Sequence, residues 1–192
     1  MTLINQRIDK LRAKMKAQKI NAFIIPSADP HQSEYVCDFW KVRAYFSGFS
    51  GSAGTLVVTD KEAAMWADGR YFLQVENECK DTYVKLHKQQ IPHAPEHIPW
   101  LCEVLNEKSV IGIDFRQFSK SQFDYIQKMA SGKNIEIKNF PYLLGEIWTE
   151  RPLLPSDQVN IHSIEFSGES TASKLKKVQD EIINQNADFY FL

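Results

Sequence analysis

Thr55-Leu56-Val57-Val58-Thr59 and Ala63-Ala64-Met65-Trp66-Ala67 lie on either side of Asp60-Lys61-Glu62. Two apolar runs joined by a short polar turn read as a β-hairpin. Upstream, Ala22-Phe23-Ile24-Ile25 is a continuous apolar run closed by Pro26, the pattern of a buried strand. Further back, Ile4, Ile8, Leu11 and Met15 share one helical face, with Arg, Lys and Gln on the other. Downstream, Asp68-Gly69-Arg70 is a turn, and the pattern predicts helices over 71–79, 96–106 and 119–131 and strands over 82–88, 109–114 and 134–139. Ser119 with Gln122 three residues on is a capping box. Residues 27–53, rich in Ser, Gly, Asp and aromatics, read as an elaborated loop region. Strands alternating with helices predict an α/β layer fold, and the hairpin makes its sheet mixed.

The chain has 192 residues, 43% of them hydrophobic and 24% charged, ordinary values for a globular protein. A formal net charge of −1 gives no electrostatic reason to expect nucleic acid or an anionic membrane as partner. The three cysteines, Cys37, Cys79 and Cys102, are widely spaced and form no CxxC, which argues against a disulfide framework and for a reducing cytoplasm. No run approaches the ~20 apolar residues that span a bilayer.

From residue 149 the character changes. Thr149-Glu150-Arg151-Pro152-Leu153-Leu154-Pro155-Ser156 has no periodicity and reads as a linker or surface arm. Leu175, Val178, Ile182 and Ile183 then mark an amphipathic helix, followed by Asn186-Ala187-Asp188-Phe189-Tyr190-Phe191-Leu192. The chain's opening has the same order: helix, polar turn with Asn-Ala, aromatic-led apolar strand. A second copy of the opening unit is expected to begin near residue 170 and to stop inside its first strand. The other reading is a terminal helix that simply ends. An unfinished Phe189–Leu192 strand would seek a sheet edge.

The search for chemistry finds no convergent set. His93 and His97 are four apart, but Pro92, Pro95 and Pro99 surround them and argue against one continuous helix carrying both, and no HExxH occurs. Ser52 in Gly51-Ser52-Ala53-Gly54 precedes a strand, so it lacks the strand-to-helix turn of a nucleophile elbow. The same loop leads into no helix N-terminus, which argues against a phosphate cradle. What remains is a polar cluster: Asp29, His31, Ser33, Glu34, Tyr35, Arg43, Ser47, Asp68 and Arg70. Asp68 and Arg70 read first as a structural ion pair. Loops carry function, so this surface is the candidate for meeting a partner domain or substrate.

Five motifs then fall in order: Ile24-Ile25-Pro26-Ser27, His31-Gln32-Ser33-Glu34-Tyr35, Ser47-Gly48-Phe49 through Gly51-Ser52-Ala53-Gly54-Thr55, Met65-Trp66-Ala67-Asp68-Gly69-Arg70-Tyr71-Phe72-Leu73-Gln74, and Ile147-Trp148-Thr149-Glu150-Arg151-Pro152. This order resembles the N-terminal region of the long, three-domain Xaa-Pro aminopeptidases (aminopeptidase P). The resemblance covers nearly the whole chain. It implies a creatinase N-terminal-like three-layer domain, a mixed β-sheet flanked by helices, over residues 1–160, with residues 161–192 as linker plus the first helix and strand of a second such domain. It implies a parent enzyme that removes the N-terminal residue from peptides with proline second. Two divalent metals, manganese by family habit, would activate the water there, held by two Asp, one His and two Glu of a C-terminal pita-bread domain.

That domain lies outside this sequence, so the resemblance implies no catalytic residue, no metal ligand and no cofactor in this chain. It implies as partners the remaining domains of the parent enzyme, its proline-containing peptides and a second copy in a homo-oligomer, with no nucleic acid and no membrane. N-terminal domains of this kind serve assembly and shape access to the active site. Arg70 and His31 are the candidates for reaching substrate, against structural hydrogen bonding as the plainer role. An autonomous binding or assembly module is the competing reading. Prolidase and creatinase are the neighbouring one; their single N-terminal domain fits the apparent second repeat less well.

Overall fold

The computed structural model describes residues 1–91 and 94–190. Thr2 caps the first helix, α1 (Leu3–Ala17), by accepting from the Asn5 N–H, and the helix leads into β1 (Ala22–Pro26). A 3₁₀ turn (Asp38–Trp40) and α2 (Val42–Ser47) follow. The hairpin forms as read, from β2 (Thr55–Thr59) and β3 (Ala63–Ala67), with Thr55 opposite Trp66 and Val58 opposite Ala63. Then come α3 (Phe72–Glu78), β4 (Val84–Lys88), α4 (His97–Val104), β5 (Val110–Ile113), a 3₁₀ turn (Phe115–Gln117), α5 (Lys120–Ser131), β6 (Glu136–Asn139) and α6 (Leu143–Ile147). The Ser119/Gln122 capping box opens α5 with both reciprocal bonds made.

The six strands form one sheet in the order β4-β3-β2-β1-β5-β6. β2 runs antiparallel to both neighbours, and the other three pairings are parallel. Five strands therefore share one direction. Side chains alternate across β1 as strand geometry requires. Phe23 and Ile25 join Ile8, Leu11, Met15, Phe46 and Leu56 on one face. Ala22 and Ile24 join Ile98, Leu101, Ile111 and Ile126 on the other. Burial on both faces is why β1 reads as an unbroken apolar run. The result is the expected mixed sheet between two helical layers.

Three readings are corrected. The 27–53 region is not all loop: it contains α2, whose six residues include the buried polar Arg43 and Ser47, so no apolar stripe shows. The linker contains a short helix, α7 (Ile164–Ser167), before α8 (Thr171–Asn184). The chain forms two compact units, Met1–Leu154 and Pro155–Leu192. Residues 187–190 form no strand, and Phe191 and Leu192 lie outside the described residues.

Within the second unit, α8 closes as α1 does. At α1, the Gln18, Lys19 and Ile20 N–H groups donate to the Lys14, Lys16 and Met15 carbonyls, and Lys19 has φ 57°. At α8, those of Gln185, Asn186 and Ala187 donate to Glu181, Ile183 and Ile182, and Asn186 has φ 51°. Superposing the two closures puts Leu175, Val178 and Ile182 on Ile8, Leu11 and Met15. The α1 trio is buried; Leu175 and Val178 are exposed. Among the described residues no helix is long and apolar enough to cross a membrane.

Candidate functional site

The co-directed strands β1, β3, β4, β5 and β6 put their carboxyl ends at one end of the sheet. The polar cluster gathers there, on the loops after β1 and β3 and on α2, joined by Gln117 after β5. In an open α/β sheet this is where a crevice takes a ligand, at the strand where connections part to either side. Here that strand is β1, and the crevice is filled. Gln117, buried after β5, donates Nε2 to the Ala28 carbonyl at 2.8 Å. Gln32 returns from the β1 loop to the Gln117 carbonyl at 3.2 Å.

Asp29 organises the β1 loop. Its Oδ1 accepts from the N–H groups of His31 at 2.9 Å and Ser33 at 3.0 Å. The Ser33 N–H foremost, with His31, holds the Asp29 carboxyl below its ordinary range against the opposing effect of burial. His31 thus contributes its backbone to the turn while its side chain stays exposed. Tyr35, further along, is 83% exposed.

Arg43 is the buried centre of the cluster. Its guanidinium donates to Ser27 Oγ at 2.6 Å, to the Phe49 carbonyl at 2.8 Å and to the Gly51 carbonyl. Burial pushes its pKa down to about 10, which leaves it charged at neutral pH. Glu78 grips the same glycine loop from outside, accepting from the Ser50 N–H at 2.8 Å and Ser50 Oγ at 2.7 Å. Ser52 Oγ and Tyr71 OH meet at 2.7 Å. Gly54 adopts φ 144°, and a Cβ there would stand 2.8 Å from the Trp66 carbonyl oxygen. The loop is a fastened turn with its carbonyls drawn inward to a cation, the reverse of an anion cradle.

Arg70 pairs with Asp68 in a two-pronged contact, Nε to Oδ1 at 2.9 Å and Nη2 to Oδ2 at 2.8 Å. The Asp68 hydrogen bond raises the Arg70 pKa. The Arg70 side chain remains 65% exposed. No contact joins His31 and Arg70 among the described residues. A hollow of about 290 Å³ opens beside the cluster, lined by Glu34, Tyr35, Trp40, Lys41, Arg43 and Ser52 among others, and neither candidate lines it. The His93–His97 spacing falls partly outside the described residues. Among the described residues, no three His, Cys, Asp or Glu side chains are grouped to hold a metal ion.

Residues 7–147 match the family described as the Creatinase/Prolidase N-terminal domain. The chain belongs to that family. It is similar to Xaa-Pro aminopeptidase 1 of Dictyostelium discoideum, 37% identical over 96% of this chain and 31% of that protein. Aminopeptidase P2 of Arabidopsis thaliana is 40% identical over 86% of this chain and 24% of its own length. The chain thus spans under a third of these curated relatives. The X-prolyl aminopeptidase of Caenorhabditis elegans, described as a cytosolic enzyme with a di-nuclear active site, superposes with a TM-score of 0.83 at 30% identity, over 98% of this chain and 32% of that one. The N-terminal domain of PepQ from Mycobacterium tuberculosis, at 24% identity and TM-score 0.57 over 74% of this chain and 98% of its own, shares the fold.

One feature of this creatinase-type domain is invisible to motif reading. Arg7 lies 3.7 Å from the centroid of Tyr45, and Tyr45 stacks on Trp148 at 4.4 Å. Arg151 lies 3.7 Å over Phe39 and donates Nε to the Phe39 carbonyl at 2.6 Å. Arg116, paired with Asp114, lies 5.1 Å from Trp40. These cations and rings come from α1, α2, both 3₁₀ turns and the arm after α6, so only the fold assembles them. They fix the Trp148–Arg151 arm as the chain leaves the domain.

Proposed function

We propose that this chain is the non-catalytic N-terminal region of a metal-dependent Xaa-Pro aminopeptidase, and that hydrolysis is carried by a domain outside these residues. The observation that carries the reading is the full-length match of this chain to less than a third of an X-prolyl aminopeptidase with a di-nuclear site. The two metals, manganese in this reading, belong to that other domain, as does the pocket for the peptide. The working compartment is the cytoplasm, as for the C. elegans enzyme.

The domain assignment follows the same line. Met1–Leu154 is domain I, the arm beyond it reaches to about residue 160, and α8 opens a second domain of the same design. The shared closure of α1 and α8 supports this, because it sets the exposed Leu175 and Val178 and the half-buried Ile182 in register with a trio that packs on a sheet. Domain I serves assembly of a homo-oligomer and shapes substrate access, with Arg70 and His31 at the surface that faces the peptide. Asp68 would hold the Arg70 guanidinium in place while its remaining donors receive a peptide carboxylate or carbonyl.

The deciding observation is the reading frame beyond Leu192. An in-frame continuation carrying the Asp, Asp, His, Glu, Glu ligand set is expected. A stop codon at that point would instead make the chain an autonomous binding module.

A further inference from the structure

The amino ends of the co-directed strands, at the opposite end of the sheet from the polar cluster, enclose a second and larger cleft of about 1160 Å³. Its walls are the last turn of α1, the hairpin turn between β2 and β3, the end of α4 with the turn after it, and β6. Six basic side chains line it, Arg12, Lys16, Lys19, Lys61, Lys108 and Lys138, against three acidic ones, on a chain whose net charge is −1. Two of the acids are already engaged: Glu62 with His87, and Glu136 with Lys138. Lys16, Lys19, Lys61 and Lys108 form no ion pair among the described residues.

Helix capping accounts for only part of this charge. Lys16 lies in the last turn of α1, where a cation suits the helix dipole. The end of α4 is served by a lysine outside the cleft: Lys133 Nζ donates to the Glu103 and Leu105 carbonyls at 3.3 and 3.1 Å. Lys61 and Lys108 stand on turns and cap no helix. Beside them are apolar surfaces, Val104 at 51% exposure and the half-buried Trp100, whose ring packs on His87 and Trp66.

We propose that this cleft docks an acidic polypeptide segment supplied by the same protein from beyond residue 192. Three observations select this ligand. The volume exceeds the roughly 300–1,000 Å³ of small-molecule pockets. The helices that border it, α1 and α4, turn their C-terminal ends toward it, whereas compact phosphates favour helix N-termini. Dispersed lysines beside an apolar strip suit carboxylates spaced along a chain with an aliphatic or aromatic residue among them. The source rests on the reading of this chain as part of a longer enzyme: the relatives extend over more than twice again its length, and a tethered segment binds at high effective concentration.

The test uses a fluorescein-labelled peptide of alternating Glu and Asp with one central Leu, titrated into residues 1–192 by anisotropy. Binding is expected, weakening at least tenfold in a Lys61→Glu/Lys108→Glu double variant and with added salt, and unchanged in Lys176→Glu on α8. Equal binding to the double variant, or no binding to the wild type, overturns the site. Competition by tripolyphosphate as strong as by unlabelled peptide overturns the polypeptide as ligand. In the full-length protein the probe should be excluded, and zero-length carboxyl–amine coupling should join Lys61 or Lys108 to an acidic segment beyond residue 192. Full-length protein that binds the probe as well as the short chain overturns the source. The probe titration on residues 1–192 stands whether or not the full-length protein proves to be a peptidase, so the two failures are separable.

Discussion

At the scale of single residues, packing and charge make separate demands. Phe23 pairs with Gly112 across β1 and β5, and a Cβ on Gly112 would lie 2.7 Å from the Phe23 ring and 3.1 Å from Ile20. Gly112→Ala should therefore cost about 1–3 kcal/mol by overpacking, read as a lower urea midpoint with unchanged slope. His97, set against Trp66 at the start of α4, is pushed down to about 4 by burial. In the unfolded chain a histidine titrates near 6.5. Between those values the unfolded state binds the extra proton, so this contribution is complete above pH ~6.5 and is lost as pH falls toward 4. The effect is on the order of 1–3 kcal/mol, and a His97→Phe variant should flatten the stability profile across that window. Arg70 speaks to function. In the full-length enzyme, Arg70→Ala should raise KM roughly three- to tenfold, about 1 kcal/mol of substrate contact, with kcat within about twofold. Unchanged KM would leave Arg70 as partner to Asp68 alone.

At the scale of elements, legibility follows length and two-sided burial. The hairpin, β1 and the capped α5 were readable because each is a run long enough to show its period or its cap. α2 and α6, of six and five residues, are too short to show a 3.6-residue period, and α2 buries Arg43 inside its turn. The polar cluster was visible as composition, but not that Arg43 faces inward to three oxygens while Arg70 faces outward. The Arg7–Tyr45–Trp148 stack could not be read at all, since its members meet only after three separate elements fold. The units invite a direct test. Met1–Leu154 contains both core clusters, so a chain ending at Leu154 should fold with a melting temperature within a few degrees of the 192-residue protein. A molten or insoluble product would show that Pro155–Leu192 contributes to the first core.

At the scale of the molecule, the sheet is stiff, double-covered and plugged at its switch point by Gln117 and Gln32. Such a body suits presentation of surfaces: a polar face at the carboxyl ends of the strands, a basic cleft at their amino ends, and an arm clamped by Arg151 on Phe39. Family membership fixes the architecture, and the proposed division of labour places hydrolysis beyond it. The most direct test is turnover of an Xaa-Pro-Yaa tripeptide with added manganese, compared between purified residues 1–192 and the full-length gene product. The account predicts release of the N-terminal residue by the full-length protein and none by residues 1–192. Manganese-dependent turnover by the 192-residue chain itself would contradict it.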